Sequence, residues 1–169
     1  SMAFTLNALK DKGEVVPYAI ASRSLKKAEN FAREWHFEKA YSSYEALVSD
    51  PAVDLIYIAT PHSLHYEHAL LCLNHSKNTL VEKSFTANAL QAQELLSLAA
   101  DKKVLLAEAI WTRYMPSRKI IADLLASGAI GRFTTLNATF SVPIHEIPRM
   151  HDPSLCGGAL LDLGVYVLT

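Results

Sequence analysis

Cysteine is scarce in this chain of 169 residues: Cys72 and Cys156 are the only two, each inside an apolar or glycine-rich stretch. That count excludes a disulfide-stapled scaffold and suits a reducing compartment, so a cytoplasmic protein is expected. Basic and acidic residues nearly balance, 16 Lys and Arg against 17 Asp and Glu. A formal net charge of −1 leaves no long-range field to gather nucleic acid or an anionic membrane. Long hydrophobic runs are missing, since residues 53–60 and 104–111 are too short to span a bilayer. No signal segment is expected at the start. The sequence also has no G-x-G-x-x-G, no G-x-S-x-G, no Walker loop, no basic-aromatic pattern, no internal repeat and no flexible linker.

What is present is half apolar and one-fifth charged, the mixture of a folded globular protein. The length fits one domain, or one domain with part of another. Helix signals run over residues 4–12, closed by Gly13, then 24–35 with Ser24 as cap, and 44–48 opened by the S-x-x-E box at Ser42. Further helices are predicted over 63–74, 88–101 and 117–127, with Gly128 stopping the last. Between them stand short apolar segments, 15–21, 39–41, 53–59, 78–81 and 104–107, which read as strands. Residues 53–59 lack polar alternation, the mark of a strand buried on both faces of a parallel sheet. Residues 133–142 alternate enough to predict a longer, half-exposed strand, and an apolar helix follows Gly157-Gly158 to the end.

This alternation predicts βαβ units in a doubly wound parallel sheet. Both ends read as cut: the opening helix should follow a strand and a Gly-rich turn, and the last helix has no cap. In such sheets ligands sit at the carboxyl ends of strands, so chemistry is expected just after each one.

The first such end carries Ser22-Arg23 with no acid. An acid there would hold the ribose hydroxyls of NAD; a hydroxyl with a guanidinium favours the extra phosphate of NADP. The same two residues read equally as a solvated helix start. Glu82-Lys83 follows a buried strand, which places a cation where it can hold a substrate hydroxyl. Asp162 and Tyr166 share one helical face amid apolar neighbours, and an acid so placed needs a partner or a polar site. Tyr beside a cation and a carboxylate suits acid–base work on an alcohol; packing with a structural salt bridge is the alternative. Trp111 and Arg113 follow the last buried strand. Trp111 reads as a wall against nicotinamide or substrate, or as an inter-domain core residue, and Arg113 as an anchor for a negative group. His62, His65 and His68 form H-x-x-H-x-x-H, yet no cysteine or carboxylate set completes a tetrahedral metal site, so no metal is expected. His62 and His65, after Thr60-Pro61, border the expected cofactor instead.

The blocks at 21–24, 59–65, 82–84, 108–114 and 157–166, taken in order, resemble the Gfo/Idh/MocA oxidoreductases, and within them the dimeric dihydrodiol dehydrogenase and D-xylose dehydrogenase branch. The resemblance implies a Rossmann domain over residues 1–110, without its first strand and glycine loop, and the start of a C-terminal α/β domain with an open sheet over 111–169. It implies NADP, less readily NAD, and hydride transfer to or from a sugar or cyclic diol carbon. Lys83, Asp162 and Tyr166 match the catalytic set, and Ser22 and Arg23 match the 2′-phosphate site. Trp111 and Arg113 match a pair near nicotinamide and substrate; Thr60, Pro61, His62, His65 and Glu82 fall among the cofactor-side positions. A homodimer is expected of a complete protein, with neither nucleic acid nor membrane as partner. Ser84 stands where the family usually has proline, from which a less rigidly held Lys83 is expected. This chain alone is expected to bind cofactor weakly and to be inactive. A cofactor-binding regulator or scaffold without turnover, or a truncated inactive product, are the rival readings.

Overall fold

The computed structural model describes residues 2–169. Helix α1 spans Met2–Lys10 and ends near Gly13, whose positive φ of 74° turns the chain back. Strand β1, Ala19–Ala21, is shorter than the predicted 15–21 and begins after Pro17, a residue with no N–H to give to a ladder. Helix α2, Leu25–Trp35, is capped by Ser24, whose hydroxyl accepts from the Lys27 amide. Strand β2, Lys39–Tyr41, leads into α3, Tyr44–Ser49. There the cap is Ser43, which accepts from the Ala46 amide at 3.1 Å, and not Ser42.

Strand β3, Leu55–Ile58, is followed by a 3-10 turn at His62–Leu64 and α4, His65–Asn74. Strand β4, Asn78–Glu82, precedes α5, Ala89–Lys102, whose cap Asn88 accepts from the Gln91 amide. Strand β5, Leu106–Ala109, is followed by a 3-10 turn at Trp111–Tyr114 and α6, Pro116–Ala126, with proline in its first turn. Both ladders are parallel, as the βαβ reading requires: β1 pairs with β2, and β4 lies between β3 and β5. The core is built where α4 and α5 cover the second ladder, from Ile56, Ile58, Leu73, Val81, Leu95 and their neighbours. Leu73 and Leu95 are fully buried, and removing either side chain to Ala costs about 2–5 kcal/mol.

Three features depart from the sequence reading. The single expected sheet is interrupted between β1 and β3, where a cavity of about 1150 Å³ is lined by Ala19–Ala21, Leu55–Ile58, Leu47, Val48 and Leu71. In Rossmann sheets the first strand lies between the second and the fourth, and the cavity occupies that place. Residues 133–142 form no strand, and among the described residues no segment pairs with them. Alternation makes a segment fit for a sheet, but pairing needs a second edge. The terminal apolar helix is also divided, into a π-helical turn at Leu160–Gly164 and a short α7, Val165–Val167.

Candidate functional site

The carboxyl end of β4 presents Lys83, and the turn beyond it is braced from three sides. Glu82 accepts the Lys83 amide at 3.0 Å through Oε2, while its Oε1 takes the hydroxyl of Tyr57 on β3. Glu108, on β5, accepts the Phe85 amide at 2.9 Å. His65 is fully buried at the start of α4, with Nδ1 2.7 Å from the Ser84 carbonyl oxygen and Nε2 2.9 Å from that of Thr60. The Lys83–Ser84 peptide is cis. With serine at position 84, the turn is held by hydrogen bonds to Glu82, Glu108 and His65.

Lys83 Nζ reaches across to the π-helical turn. It donates to Asp162 Oδ1 at 2.7 Å and to the Asp162 carbonyl oxygen at 2.8 Å. Arg149, from the 3-10 turn at Pro148–His151, donates to the same Oδ1 at 3.0 Å. Burial of Asp162 favours its neutral form, but the bonds from Lys83 and Arg149 and their charges outweigh it. The carboxyl is held below the ordinary carboxylate range. The Tyr166 ring lies beneath the ammonium, with Lys83 Nζ 5.3 Å from its centroid. Trp111 and Phe140 flank that ring at 5.9 and 5.1 Å between centroids. Trp111 is 55% exposed and lies against the Tyr166 ring.

His62 closes the other side, with Nε2 3.8 Å from Asp162 Oδ1, too far for a hydrogen bond. Burial, and then the neighbouring His65, pull its pKa below 6.5, so it is neutral at pH 7. Its Nδ1 is buried without a protein partner. The histidines of the H-x-x-H-x-x-H run point to separate partners, His68 to Thr60 Oγ1 at 3.0 Å and to the Tyr44 ring. Among the described residues no group of three or more His, Cys, Asp or Glu could hold a metal ion.

The structure thus joins Lys83, Asp162, Tyr166, Trp111 and His62 in one place, with Glu82, Thr60 and His65 behind them. Both ring nitrogens of His65 lie within hydrogen-bond distance of carbonyl oxygens, those of Ser84 and Thr60. Ser22 and Arg23 stand apart, at the end of β1, where Ser22 Oγ accepts from the Ser24 amide at 3.4 Å and Arg23 is exposed. Pro61 and Arg113 are exposed, and no side-chain hydrogen bond ties Arg113 to the cluster among the described residues. Sequence reasoning singled out neither Arg149 nor Phe140, and it gave Glu108, in the block at 108–114, no role of its own. Arg149 lies in an irregular segment without periodicity, so nothing local marked it.

The residues fit the two ends of a dinucleotide differently. Ser22 and Arg23, with no carboxylate beside them, have the chemistry for a phosphorylated ribose, and the His62 Nδ1 and Lys83 ammonium supply polar groups that could meet the other end. No G-x-G-x-x-G cradle for the pyrophosphate occurs within these residues.

Comparison with known proteins identifies relatives over most of the chain. The chain is 45% identical over 148 residues to trans-1,2-dihydrobenzene-1,2-diol dehydrogenase of Xenopus tropicalis, covering 88% of this chain and 45% of that protein. It is 44% identical to the D-xylose 1-dehydrogenase (NADP(+)) of Hypocrea jecorina, covering 92% of this chain and 43% of that protein. The chain therefore spans about half the length of the curated relatives it matches. Among solved structures it superposes on the 3-ketoreductase KijD10 with NADP and TDP-benzene, with a TM-score of 0.85 and 33% identity over 95% of this chain and 50% of that one. Levoglucosan dehydrogenase with NADH and levoglucosan gives a TM-score of 0.78 at 26% identity, covering 90% of this chain and 43% of that one. The family model described as an oxidoreductase family with an NAD-binding Rossmann fold, GFO_IDH_MocA, matches residues 3–110, and the chain belongs to that family.

Proposed function

We propose that this protein, in its complete form, is an NADP-dependent oxidoreductase that moves hydride between nicotinamide and a carbinol carbon of a sugar or cyclic diol. The observation that carries the reading is the meeting of Lys83, Asp162 and Tyr166, from distant parts of the chain, at the carboxyl edge of the parallel strands. Relatives named as dehydrogenases of a diol and of a sugar support the substrate class. A homodimer is the expected assembly of the complete protein.

The bound nicotinamide supplies the hydride acceptor. In the oxidative direction Tyr166, acting as its phenolate, takes the proton from the substrate hydroxyl. Lys83 has three donors and spends two on Asp162, which leaves one to hold the substrate oxygen as negative charge grows on it. Asp162 fixes the direction of that ammonium. Trp111 and Phe140 pack about Tyr166 and limit water around the reacting hydroxyl. At the far end Ser22 and Arg23 bind the 2′-phosphate, and the absence of an acid there favours NADP over NAD.

The test is Lys83→Met in the complete protein. Turnover with sugars or diols falls about 10²–10⁴-fold, the range of a lost acid–base or oxyanion partner. NADP affinity, read by fluorescence titration, stays nearly unchanged. Equal losses in both overturn the role assigned to Lys83. NADP binding by the unaltered protein without oxidation of any sugar or diol overturns the reading as an enzyme.

A further inference from the structure

We propose that Arg149 is a positioning residue of this site, sharing the Asp162 carboxylate so that the charge of Lys83 stays uncompensated toward the substrate. The inference rests on the oxidoreductase reading and adds a residue to it.

Two cations converge on one oxygen. Lys83 Nζ lies 2.7 Å and Arg149 Nη2 3.0 Å from Asp162 Oδ1. Asp162 is 3% exposed, so water does little to screen the trio. The other ionisable groups facing it are His62, from the turn before α4, and Tyr166, from α7. With His62 neutral, the trio carries one surplus positive charge. A lone Lys83–Asp162 pair would be neutral overall, and a neutral pair stabilises a developing alkoxide far less than a net cation does. Arg149 therefore takes over part of the carboxylate, and the third Lys83 donor remains at work. Among the described residues no donor reaches Asp162 Oδ2, which leaves that oxygen for a substrate hydroxyl.

The backbone of Arg149 is seated by a second, separate feature. The chain folds back so that Gly157 lies directly beneath it. A Cβ at position 157 would collide with the Arg149 carbonyl oxygen and stand 3.0 Å from that of Asp152. The turn is closed by the Asp152 amide to the Arg149 carbonyl at 3.3 Å and the Gly157 amide to the Asp152 carbonyl at 3.0 Å. Only glycine fits this approach, and it fixes where the guanidinium begins.

The experiment uses the complete protein with Arg149→Met, Arg149→Lys and Gly157→Ala, each checked for an unchanged far-UV circular dichroism spectrum. Steady-state oxidation is followed across pH, and Lys83 labelling by acetic anhydride at pH 8 is read by mass spectrometry. Arg149→Met is expected to lower kcat about 10–100-fold with the cofactor KM nearly unchanged. The alkaline limb of its pH–rate profile moves up by about one pH unit, because a nearby cation no longer favours proton loss. Lys83 labelling falls several-fold, since Asp162 then holds the ammonium alone. Arg149→Lys restores most of the rate, and Gly157→Ala shifts the profile in the same direction as Arg149→Met. An unchanged profile and unchanged labelling overturn the proposal, as does a rise in cofactor KM with kcat preserved, which would make Arg149 a cofactor anchor. If the unaltered protein turns over no sugar or diol while Lys83 labelling still falls in Arg149→Met, the charge-sharing stands and the oxidoreductase reading falls.

Discussion

Lys83 and Asp162 stand 79 positions apart in the chain and 2.7 Å apart in space. The contact ties the end of a sheet strand to the π-helical turn, so the Rossmann part and the segment beyond residue 110 share one charged centre. Its acid sensitivity follows from the depressed pKa of Asp162. A carboxyl whose folded value lies below its unfolded value of 3.8 contributes stability above the unfolded value. That contribution is lost as the pH falls through the folded value. The Tyr166–Trp111 contact is the expected reporter, since the Tyr166 ring packs on Lys83 and on Trp111. In a Trp35→Phe background, Trp111 fluorescence is expected to hold steady down to about pH 4 and to change only below it. In Asp162→Asn that acid transition is absent, and a transition unchanged by the substitution contradicts the link.

Two histidines set a second pH dependence. Burial lowers the pKa values of His62 and His68 below the unfolded value of 6.5. Between the folded and unfolded values the unfolded chain binds more protons, so stability falls as the pH drops from 6.5 and levels off below the folded values. The urea midpoint is expected to fall between pH 7 and pH 5. His68→Gln removes part of that fall, and Thr60 Oγ1 can still be met by the amide. A midpoint that rises as the pH drops contradicts the assignment.

Much of this was legible in the sequence wherever the signal was local. β3 is a continuous apolar segment, and Ser24 caps its helix where its hydroxyl predicts. The pairing of Lys83 with Asp162 and Tyr166 was reachable because each stands at a strand end or on a helix face, positions with a defined direction. Ser42 and Ser43 both satisfy the local rule for a cap, and only the backbone path selects Ser43. Arg149 and residues 133–142 were not legible. Their partners, or the lack of them, are set by chain segments far away in sequence, and no periodicity encodes that.

The end of β1 predicts cofactor choice. Arg23 is exposed and free of any carboxylate partner among the described residues, while Ser22 keeps its hydroxyl within 3.4 Å of the Ser24 amide. Charge-assisted bonds to a phosphate are worth about 1.5–3 kcal/mol each, or about 10–100-fold in affinity. In the complete protein, Arg23→Ala is expected to weaken NADP by about that factor and to leave NAD nearly unchanged. Ser22→Asp adds repulsion of the phosphate and turns the preference toward NAD. Equal losses for the two cofactors in Arg23→Ala would instead place the 2′-phosphate elsewhere.

The cavity between β1 and β3 predicts how this chain behaves by itself. Each of these strands is paired on one side only, and the facing edges line the same apolar space as Leu47, Val48 and Leu71. Unpaired backbone groups and apolar walls together favour one occupant, an extended apolar segment lying parallel to both strands. The 169-residue chain is therefore expected to bind a hydrophobic dye such as ANS. A strand of about six apolar residues with a glycine-rich turn, fused ahead of residue 1, fills the space and joins the two ladders. Such a chain is expected to lose the dye signal and to melt at higher temperature, because the added strand buries apolar area on both sides. Dye binding that survives the added strand, with no gain in melting temperature, would mean that the space closes by collapse of β1 onto β3. The parallel order of the two ladders would then owe nothing to a strand between them.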